Sequence, residues 1–528
     1  MAATRDTTGS VVPSITPNNN NNNNNHTSQQ VSRINGTAIV SIPTASADAI
    51  ASFSWGNYLK TTKAHGAPVS YFRHAPLQEM WGQLTPGMKV EVINTDCSYN
   101  SNDPKEKIFW FAYIVRLEGY LALLRYEGCD DDPSMDFWCN LCNKDVHCVG
   151  WCGQHGVKLA PPRSIEYRQT DWKSFLVNKL VGAKTLPDSF RQKIQFSLRC
   201  SFKKHTLVEL IDKFQVSRMR VGKISDIIGG RLRINYENGG GEHFWVHHTS
   251  DLIHPVGWCH VTGHDLDATD DYRSEAARIS ETKSYPTNIA TPDLFRQVPI
   301  ITSEDEQFKE GQKLEAVDPL EMSRICPATV GKVLKNGYFM LSVDGSSTED
   351  GSDWFCYHSS SRVIFPVNHC KINNIPLSPP LGYEGEFEWE RYLTETKSDP
   401  VPRELFQIVK EKTTNPFSIG MKIEAVDMMA PHLVCVATVA NVASNLIRVR
   451  FDGWSADFEQ WIDCQSTNIY PVGWCELNNY LHKISVSSYP INTQTQWHYN
   501  RRDAFSFLRK TIHMNFFRAT VYSTNTAW

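Results

Sequence analysis

The sequence predicts a mainly β protein of four tandem domains, each consisting of a short helical arm and a small antiparallel barrel. Three observations predict this fold. The tetrapeptide VGWC occurs at 149–152, 256–259 and 472–475, with a degenerate form, VNHC, at 367–370. A further tryptophan lies thirteen residues before the tryptophan of each VGWC, and an alternating apolar–polar segment opens each unit. The steps of 105 to 111 residues between these motifs are too long for a solenoid and are typical of separate domains.

The predicted opening strands are GMKVEVIN (87–94), LVELID (207–212), GQKLEAVD (311–318) and GMKIEAVD (420–427). Short β-rich runs follow each of them, and Gly, Asn and Asp separate these runs as they do in β-hairpins. Helical arms precede three of the barrels, and each arm contains a Trp followed by an aromatic–Leu pair. In the third unit, only the segment TPDLF corresponds to an arm.

These features give the domain boundaries. The chain divides into an Asn-rich segment at 1–50, four repeats at 53–161, 169–267, 273–379 and 387–485, and a divergent tail at 486–528. The first segment contains eight consecutive asparagines and too few apolar residues to form a core, so we expect it to be disordered. The short connections between repeats predict that the four domains pack together.

The composition is that of an ordinary globular protein, with 41% hydrophobic and 21% charged residues. The net charge is −4 and the basic residues are scattered, so we do not expect direct nucleic-acid binding. No run of 18 apolar residues is present, and the N-terminus has no apolar segment, so we expect neither secretion nor membrane insertion. Fourteen cysteines over this length indicate a reducing compartment rather than a disulfide framework.

The WxxYL arm, the opening G-M-K-x-E-A-V-D, the segment F-D-G-W and the closing P-V-G-W-C resemble malignant brain tumor (MBT) repeats. Four such units over residues 53–485 are similar to the four-repeat subgroup, which includes Sfmbt-type and lethal(3)malignant-brain-tumor-like proteins. The resemblance implies Tudor-like (SH3-like) β-barrels, a location in the nucleus and a Polycomb-like role in transcriptional repression. It also implies binding to histone H3 or H4 tails that carry mono- or dimethyllysine, and repressor-complex or DNA-binding proteins as further partners.

The candidate binding site lies in repeat 4, in the stretch RFDGWSADFEQW at 450–461. This stretch contains Phe451, Trp454 and Phe458, and Asp427 ends the opening strand of the same repeat. The resemblance adds Cys435 as a residue that lines the pocket. The other repeats lack this combination, with Val343 and Ser346 in repeat 3, Gly239 in repeat 2, and Asn94 and Cys129 in repeat 1 at the corresponding positions.

Ring faces combined with a carboxylate suit a methylated ammonium group. Each well-placed ring attracts such a cation by about 0.5–2 kcal/mol, and the carboxylate accepts a charge-assisted hydrogen bond from a remaining N–H. Mono- and dimethyllysine retain this proton, whereas trimethyllysine does not. Unmodified lysine must lose a tight hydration shell to enter an apolar slot. Asp427 therefore predicts selection for the lower methylation states.

Structural roles compete with this interpretation. Aromatic residues of small barrels usually lie in the core, and Tyr126 and Tyr236 replace Phe451 in repeats without a cage. We expect purely structural roles for the tryptophans that recur in several repeats, which are Trp138, Trp151, Trp245, Trp258, Trp354, Trp461 and Trp474. Asp212 and Asp318 persist without a cage, so we expect Asp427 to stabilise its own turn as well.

A second set of residues, Cys139, Cys142, Cys148 and Cys152, has the spacing of a zinc site. Cys152 recurs in every repeat and Cys139 corresponds to Val246 and Ile462, so we expect packed thiols with no metal and no cofactor. No catalytic motif is recognisable, and we do not expect an enzyme. The leading hypothesis is a methyl-lysine reader, and the alternative is a protein-interaction scaffold that uses the cage-less repeats 1–3.

Overall fold

The structure, a computed structural model, describes residues 53–480 except for 98–106, 130–131, 240, 303–307, 346–347, 349 and 412–413. The segment 1–50, the tail at 486–528 and Ser346 therefore lie outside the described residues. The described part contains four curled β-sheets, one for each repeat, which confirms the mainly β prediction. No helix in this part is long and apolar enough to cross a membrane.

Each sheet is an antiparallel meander of four strands, and a two-residue strand pairs back onto the first strand. Repeat 1 contains β1 (Lys89–Ile93), β2 (Phe109–Glu118), β3 (Leu121–Tyr126), β4 (Phe137–Asn140) and β5 (Val146–His147). Repeat 2 contains β6 (Leu207–Ile211), β7 (Met219–Ile228), β8 (Arg231–Tyr236), β9 (His243–His247), β10 (Ile253–His254) and β11 (Leu266–Asp267), which is parallel to β7. Repeat 3 contains β12 (Lys313–Val317), β13 (Ile325–Val333), β14 (Tyr338–Val343), β15 (Phe355–His358) and β16 (Ile364–Phe365). Repeat 4 contains β17 (Lys422–Val426), β18 (Val434–Ala443), β19 (Leu446–Phe451), β20 (Gln460–Asp463) and β21 (Ile469–Tyr470).

The helices are short and come before, between and after the sheets in chain order. They are α1 (Trp55–Thr62), α2 (Gln78–Trp81), α3 (Trp151–His155), α4 (Trp172–Leu180), α5 (Phe190–Ser197), α6 (Trp258–Thr262), α7 (Asp270–Thr282), α8 (His369–Ile372), α9 (Trp389–Thr396), α10 (Gln407–Lys410) and α11 (Trp474–Leu477). Four of them, α3, α6, α8 and α11, begin at the closing motif of a repeat.

A buried glutamate explains why the opening and closing motifs recur together. In repeat 4, Glu424 on β17 accepts hydrogen bonds at 2.8 Å from the backbone N–H groups of Gly473 and Cys475. These N–H groups lie at the first turn of α11, where they have no partner inside the helix. The other glutamates at this position are also buried and bind the closing motif in the same way, namely Glu91, Glu209 and Glu315. The tryptophan of the motif stacks on the last strand, with Trp474 at 3.9 Å from Tyr470.

Each helical arm packs on the sheet of the preceding repeat, and the first arm packs on repeat 4. The indole N–H of Trp55 in α1 donates to Glu424 at 2.7 Å, and that of Trp389 in α9 donates to Glu315 of repeat 3 at the same distance. Parallel bridges link every arm to the start of an opening strand, between Gly66 and Lys422, Thr185 and Lys89, Ile289 and Leu207, and Pro400 and Lys313. Because each arm packs on the preceding repeat and the first arm packs on the fourth, the first and last repeats are joined directly.

The third arm differs from the sequence-based description. It contains the thirteen-residue helix α7, which the search for a Trp and an aromatic–Leu pair missed. Thr269 caps this helix by accepting the Tyr272 N–H, and Ala276 and Ile279 bury its apolar face. A cap followed by buried residues at helical spacing is sufficient for a helix, so the tryptophan of the other arms is not required.

Repeat 4 contacts all three other repeats. Trp461 packs in a cluster with Phe365 of repeat 3. The buried Arg231 of repeat 2 donates from Nη2 to the carbonyl oxygen of Pro431 at 2.5 Å. Tyr120 of repeat 1 donates its backbone N–H to the carbonyl oxygen of Val472 at 2.9 Å. The repeat that carries the predicted pocket is therefore held in place by its neighbours.

Candidate functional site

Strand register brings the predicted site residues of repeat 4 to one face of its sheet. Phe451 at the end of β19 pairs with Ala437 of β18, and Cys435 lies two residues earlier on β18. Asp427 directly follows β17, and its N–H donates to the carbonyl oxygen of Leu433 at 3.2 Å, which extends the β17–β18 ladder. Paired residues and residues two positions apart lie on the same face of a sheet. Asp427, Cys435 and Phe451 therefore share a face.

A tight turn places the other two rings beside Phe451. Gly453 has a φ of 80°, a conformation that favours glycine, and the Trp454 N–H donates to the carbonyl oxygen of Phe451. The ring centroids of Phe451 and Trp454 are 5.8 Å apart. Those of Trp454 and Phe458 are 5.7 Å apart with the rings perpendicular. Three aromatic faces are thus grouped at the end of β19.

The depth of these residues differs in a way that suits a pocket. Phe451, Asp427 and Cys435 are each only 1% exposed. Trp454 and Phe458 are half-buried and retain part of their surface. A pocket for a cation from solvent would need this order of depth, with a carboxylate and one ring inside and two rings at the surface.

Asp427 also stabilises the turn in which it lies, as the sequence predicted. Its Oδ1 accepts the N–H of Met429 at 3.1 Å and the side-chain amide of Gln460 at 3.2 Å. Gln460 begins β20, so this amide ties the carboxylate to the strand that follows the aromatic turn. Sequence reasoning missed Gln460, since an isolated glutamine after a turn carries no recognisable signal.

Two other carboxylates of the aromatic stretch, Asp452 and Glu459, bind the protein's own cations. Asp452 accepts the Tyr58 hydroxyl of α1 at 2.6 Å and the Lys422 ammonium at 2.7 Å. Glu459 is buried and pairs with Arg448 at 2.6 Å and also with Arg450. These acids connect the aromatic turn to α1 and β19, so they serve the structure around the site.

The cysteines of repeat 1 are packed, in keeping with their predicted role. Cys142 is buried, and burial raises the pKa of Cys139 to about 12. Within the described part of the chain, no group of three or more His, Cys, Asp or Glu side chains is arranged to hold a metal ion.

The family model for the mbt repeat matches residues 88–166, 206–273, 312–384 and 421–483, which together make up over half of the chain. The chain belongs to the MBT-repeat proteins. The four matched segments coincide with the four sheets, and the fourth contains all five predicted site residues.

Two relatives are similar over most of the chain. MBT domain-containing protein 1 of Xenopus tropicalis is 49% identical over 431 residues, which cover 81% of this chain and 64% of the relative. Polycomb protein Sfmbt of Drosophila melanogaster is 45% identical, over 84% of this chain and 37% of the relative. The chain thus spans less than two thirds of the length of either relative.

A solved structure supports the same assignment. The crystal structure of the four MBT repeats of Drosophila melanogaster Sfmbt, in complex with a peptide RHR(me)KVLR, matches with a TM-score of 0.74 and 44% sequence identity. The match covers 83% of this chain and 99% of the Sfmbt chain.

Proposed function

We propose that the protein is a nuclear, chromatin-associated reader of mono- and dimethyllysine on histone H3 or H4 tails, and that it contributes to transcriptional repression. The observation that carries this proposal is the grouping of Phe451, Trp454 and Phe458 on the side of repeat 4 that holds Asp427. The similar Sfmbt repeats bind a peptide with a methylated lysine, and Sfmbt is a Polycomb protein. Both facts support the proposal.

Each residue has a defined role in it. The rings of Trp454 and Phe458 form the walls, and Phe451 forms the inner side, where their faces replace water around the methyl groups. Asp427 accepts the remaining N–H of the ammonium group. Cys435 is small and buried and fills the base of the pocket.

The test is a titration of the full chain with histone peptides that carry un-, mono-, di- or trimethyllysine at one position. We expect the parent to prefer the mono- and dimethylated peptides. Trp454→Ala should weaken binding about tenfold or more, because a wall and its cation–π attraction are lost. Asp427→Asn should weaken binding of the mono- and dimethylated peptides and reduce the preference over trimethyllysine.

Phe214→Ala is the matched control. Phe214 is an exposed ring that follows Asp212 by two residues, and its N–H donates to that carboxylate as the Met429 N–H does to Asp427. This variant alters an aromatic in the equivalent loop of repeat 2 and should bind like the parent. Equal binding by the parent, Trp454→Ala and Asp427→Asn would show that the pocket assignment is wrong.

An apolar groove between repeat 1 and the helical arm of repeat 2 favours a second function, that of a scaffold for repressor-complex or DNA-binding proteins. The groove measures about 360 Å³ and lies between Phe111 of the sheet and one face of α4, including Leu176 and Val177. Val181 at its edge is 77% exposed. A Val181→Asp variant should lose protein partners in a pull-down while it retains methyl-lysine peptides, and unchanged partners would refute the scaffold role of this groove.

A further inference from the structure

The aspartate at the end of the opening strand is paired with an arginine of the same repeat in repeats 2 and 3. In repeat 2, Arg218 Nε donates to Asp212 Oδ2 at 2.9 Å. In repeat 3, Arg324 Nη2 donates to Asp318 Oδ2 at 2.9 Å. In both repeats the arginine stands six residues after the aspartate.

The backbone at this position is the same in three repeats. The N–H of the aspartate donates to the carbonyl oxygen of the residue six positions later, from Asp212 to Arg218 at 3.0 Å and from Asp318 to Arg324 at 3.0 Å. The corresponding bond in repeat 4 runs from Asp427 to Leu433 at 3.2 Å. The side chains six residues after the aspartate, which are Arg218, Arg324 and Leu433, therefore begin at equivalent places relative to the carboxylate of their own repeat. Among these three repeats, only repeat 4 has a side chain here that cannot donate a hydrogen bond.

Repeat 2 contains a second internal cation, and it lies over the one ring that this repeat retains. The guanidinium of Arg220 is 4.3 Å from the centroid of the Tyr236 ring, and its Nη1 is 3.9 Å from Asp212 Oδ1. Tyr236 corresponds to Phe451, because both pair with the equivalent residue of the second strand. By the same register, Arg220 stands at the position of Cys435. A cation between a ring and a carboxylate is the arrangement proposed for the bound methyl-lysine of repeat 4.

We propose that these arginines are internal ligands of the carboxylates in repeats 2 and 3, and that Leu433, together with the three rings, allows repeat 4 to accept an external alkylammonium group. An arginine attached to the same chain is present at a high effective concentration and therefore competes strongly with a weak peptide ligand for the carboxylate. The leucine at 433 has no donor group and cannot compete with an incoming ammonium for Asp427. The inference rests on the proposed function of repeat 4 and adds Leu433 to the three rings as a residue that restricts binding to this repeat.

Leu433→Arg in the full chain copies repeats 2 and 3 into repeat 4. We expect this variant to bind a dimethyllysine histone peptide at least about tenfold more weakly than the parent, because the introduced guanidinium competes for Asp427. Leu433→Met and Leu433→Gln are the controls for volume and for an uncharged donor, and both should retain most of the binding. Equal binding by the parent and Leu433→Arg would overturn the inference, while the parent's own binding would leave the proposed function intact.

A stability measurement tests the pairing of an arginine with this aspartate without any peptide. A parent that binds no methylated peptide would refute the proposed function and with it the binding role of Leu433, but not the pairing. Thermal unfolding of the parent, Leu433→Arg, Asp427→Asn and the double variant forms a double-mutant cycle. We expect a favourable coupling between the introduced arginine and Asp427, of the same sign as the coupling between Arg324 and Asp318, measured with Arg324→Leu and Asp318→Asn. A coupling near zero at the repeat 4 pair would refute the internal-ligand mechanism.

Discussion

Trp55→Phe tests the contact that joins the first arm to the repeat with the pocket. The indole N–H of Trp55 donates at 2.7 Å to Glu424, which is only 1% exposed and also receives the N–H groups of Gly473 and Cys475. Phenylalanine retains an apolar ring but removes one of these three donors. A hydrogen bond to a charged group is worth about 1.5–3 kcal/mol, so we expect the free energy of unfolding to fall by about this amount.

The assay is hydrogen–deuterium exchange followed by mass spectrometry, because it reports where the contact is lost. Exchange should accelerate in α1, β17 and α11 of the Trp55→Phe variant. Because Tyr58 of the same helix holds Asp452 beside Phe451, we also expect weaker binding of dimethyllysine peptides.

Trp389→Phe is the matched control for this experiment. Its indole N–H donates at 2.7 Å to the buried Glu315 of repeat 3, so the same bond is lost at a repeat without a cage. Exchange should accelerate in α9 and β12, and peptide binding should not change. Unchanged exchange in β17 of Trp55→Phe, or an equal loss of binding in both variants, would refute the proposed link between the first arm and the site.

Three further predictions concern the surroundings of the site. Tyr58→Phe removes the 2.6 Å hydrogen bond to Asp452 and should weaken dimethyllysine peptide binding, as measured by calorimetry. Burial lowers the pKa of His74 to about 4. Between pH 6.5 and 4 this histidine therefore binds a proton in the unfolded chain but not in the folded chain, so the free energy of unfolding should decline as the pH falls through this range. His74→Gln should reduce this decline, as measured by urea titrations at several pH values. Arg362→Leu breaks the ion pair with Asp463, at 3.1 Å between repeats 3 and 4, and should lower the melting temperature.

Each of these predictions has a control in the same chain. Tyr392→Phe removes an equivalent hydroxyl bond, to Asp344 of repeat 3, and should leave peptide binding unchanged; equal effects of the two tyrosines would contradict the role of Tyr58. His260→Gln changes a half-exposed histidine and should preserve the parent's pH profile, so an identical profile in His74→Gln would refute the contribution of His74 to the decline. Arg278→Leu breaks an exposed pair within one helix and should have little effect, and an equal loss in both arginine variants would contradict the inter-repeat role of Arg362.

The four-repeat architecture could be predicted because its determinants recur at fixed spacing along the chain. The opening glutamate and the closing Gly-Trp-Cys motif lie within one repeat and bind each other, so a pattern repeated four times identifies four domains. The aromatic rings of the candidate site could also be identified, because all three occur within eight residues of repeat 4 and are not repeated elsewhere.

Other parts of the site could not be predicted. The roles of Asp452 and Glu459 depend on cations from other segments, and the partner of Asp427 at Gln460 is 33 residues away. Leu433 was overlooked because an apolar residue after a turn is unremarkable by itself. A comparison of the position six residues after each aspartate would have identified it, since two of the repeats carry arginine there.

The sequence by itself determined the number of repeats, the β-sheet of each one and the segment in which the three rings lie, because each of these depends on residues that are near one another in the chain. Only the tertiary structure decided which sheet each arm covers, and it placed the first arm on the last repeat through a hydrogen bond between residues 369 positions apart. Every arm has the same kind of contact with an opening strand, so local residue patterns do not specify which arm packs on which sheet. That choice depends on the packing of all four repeats at once.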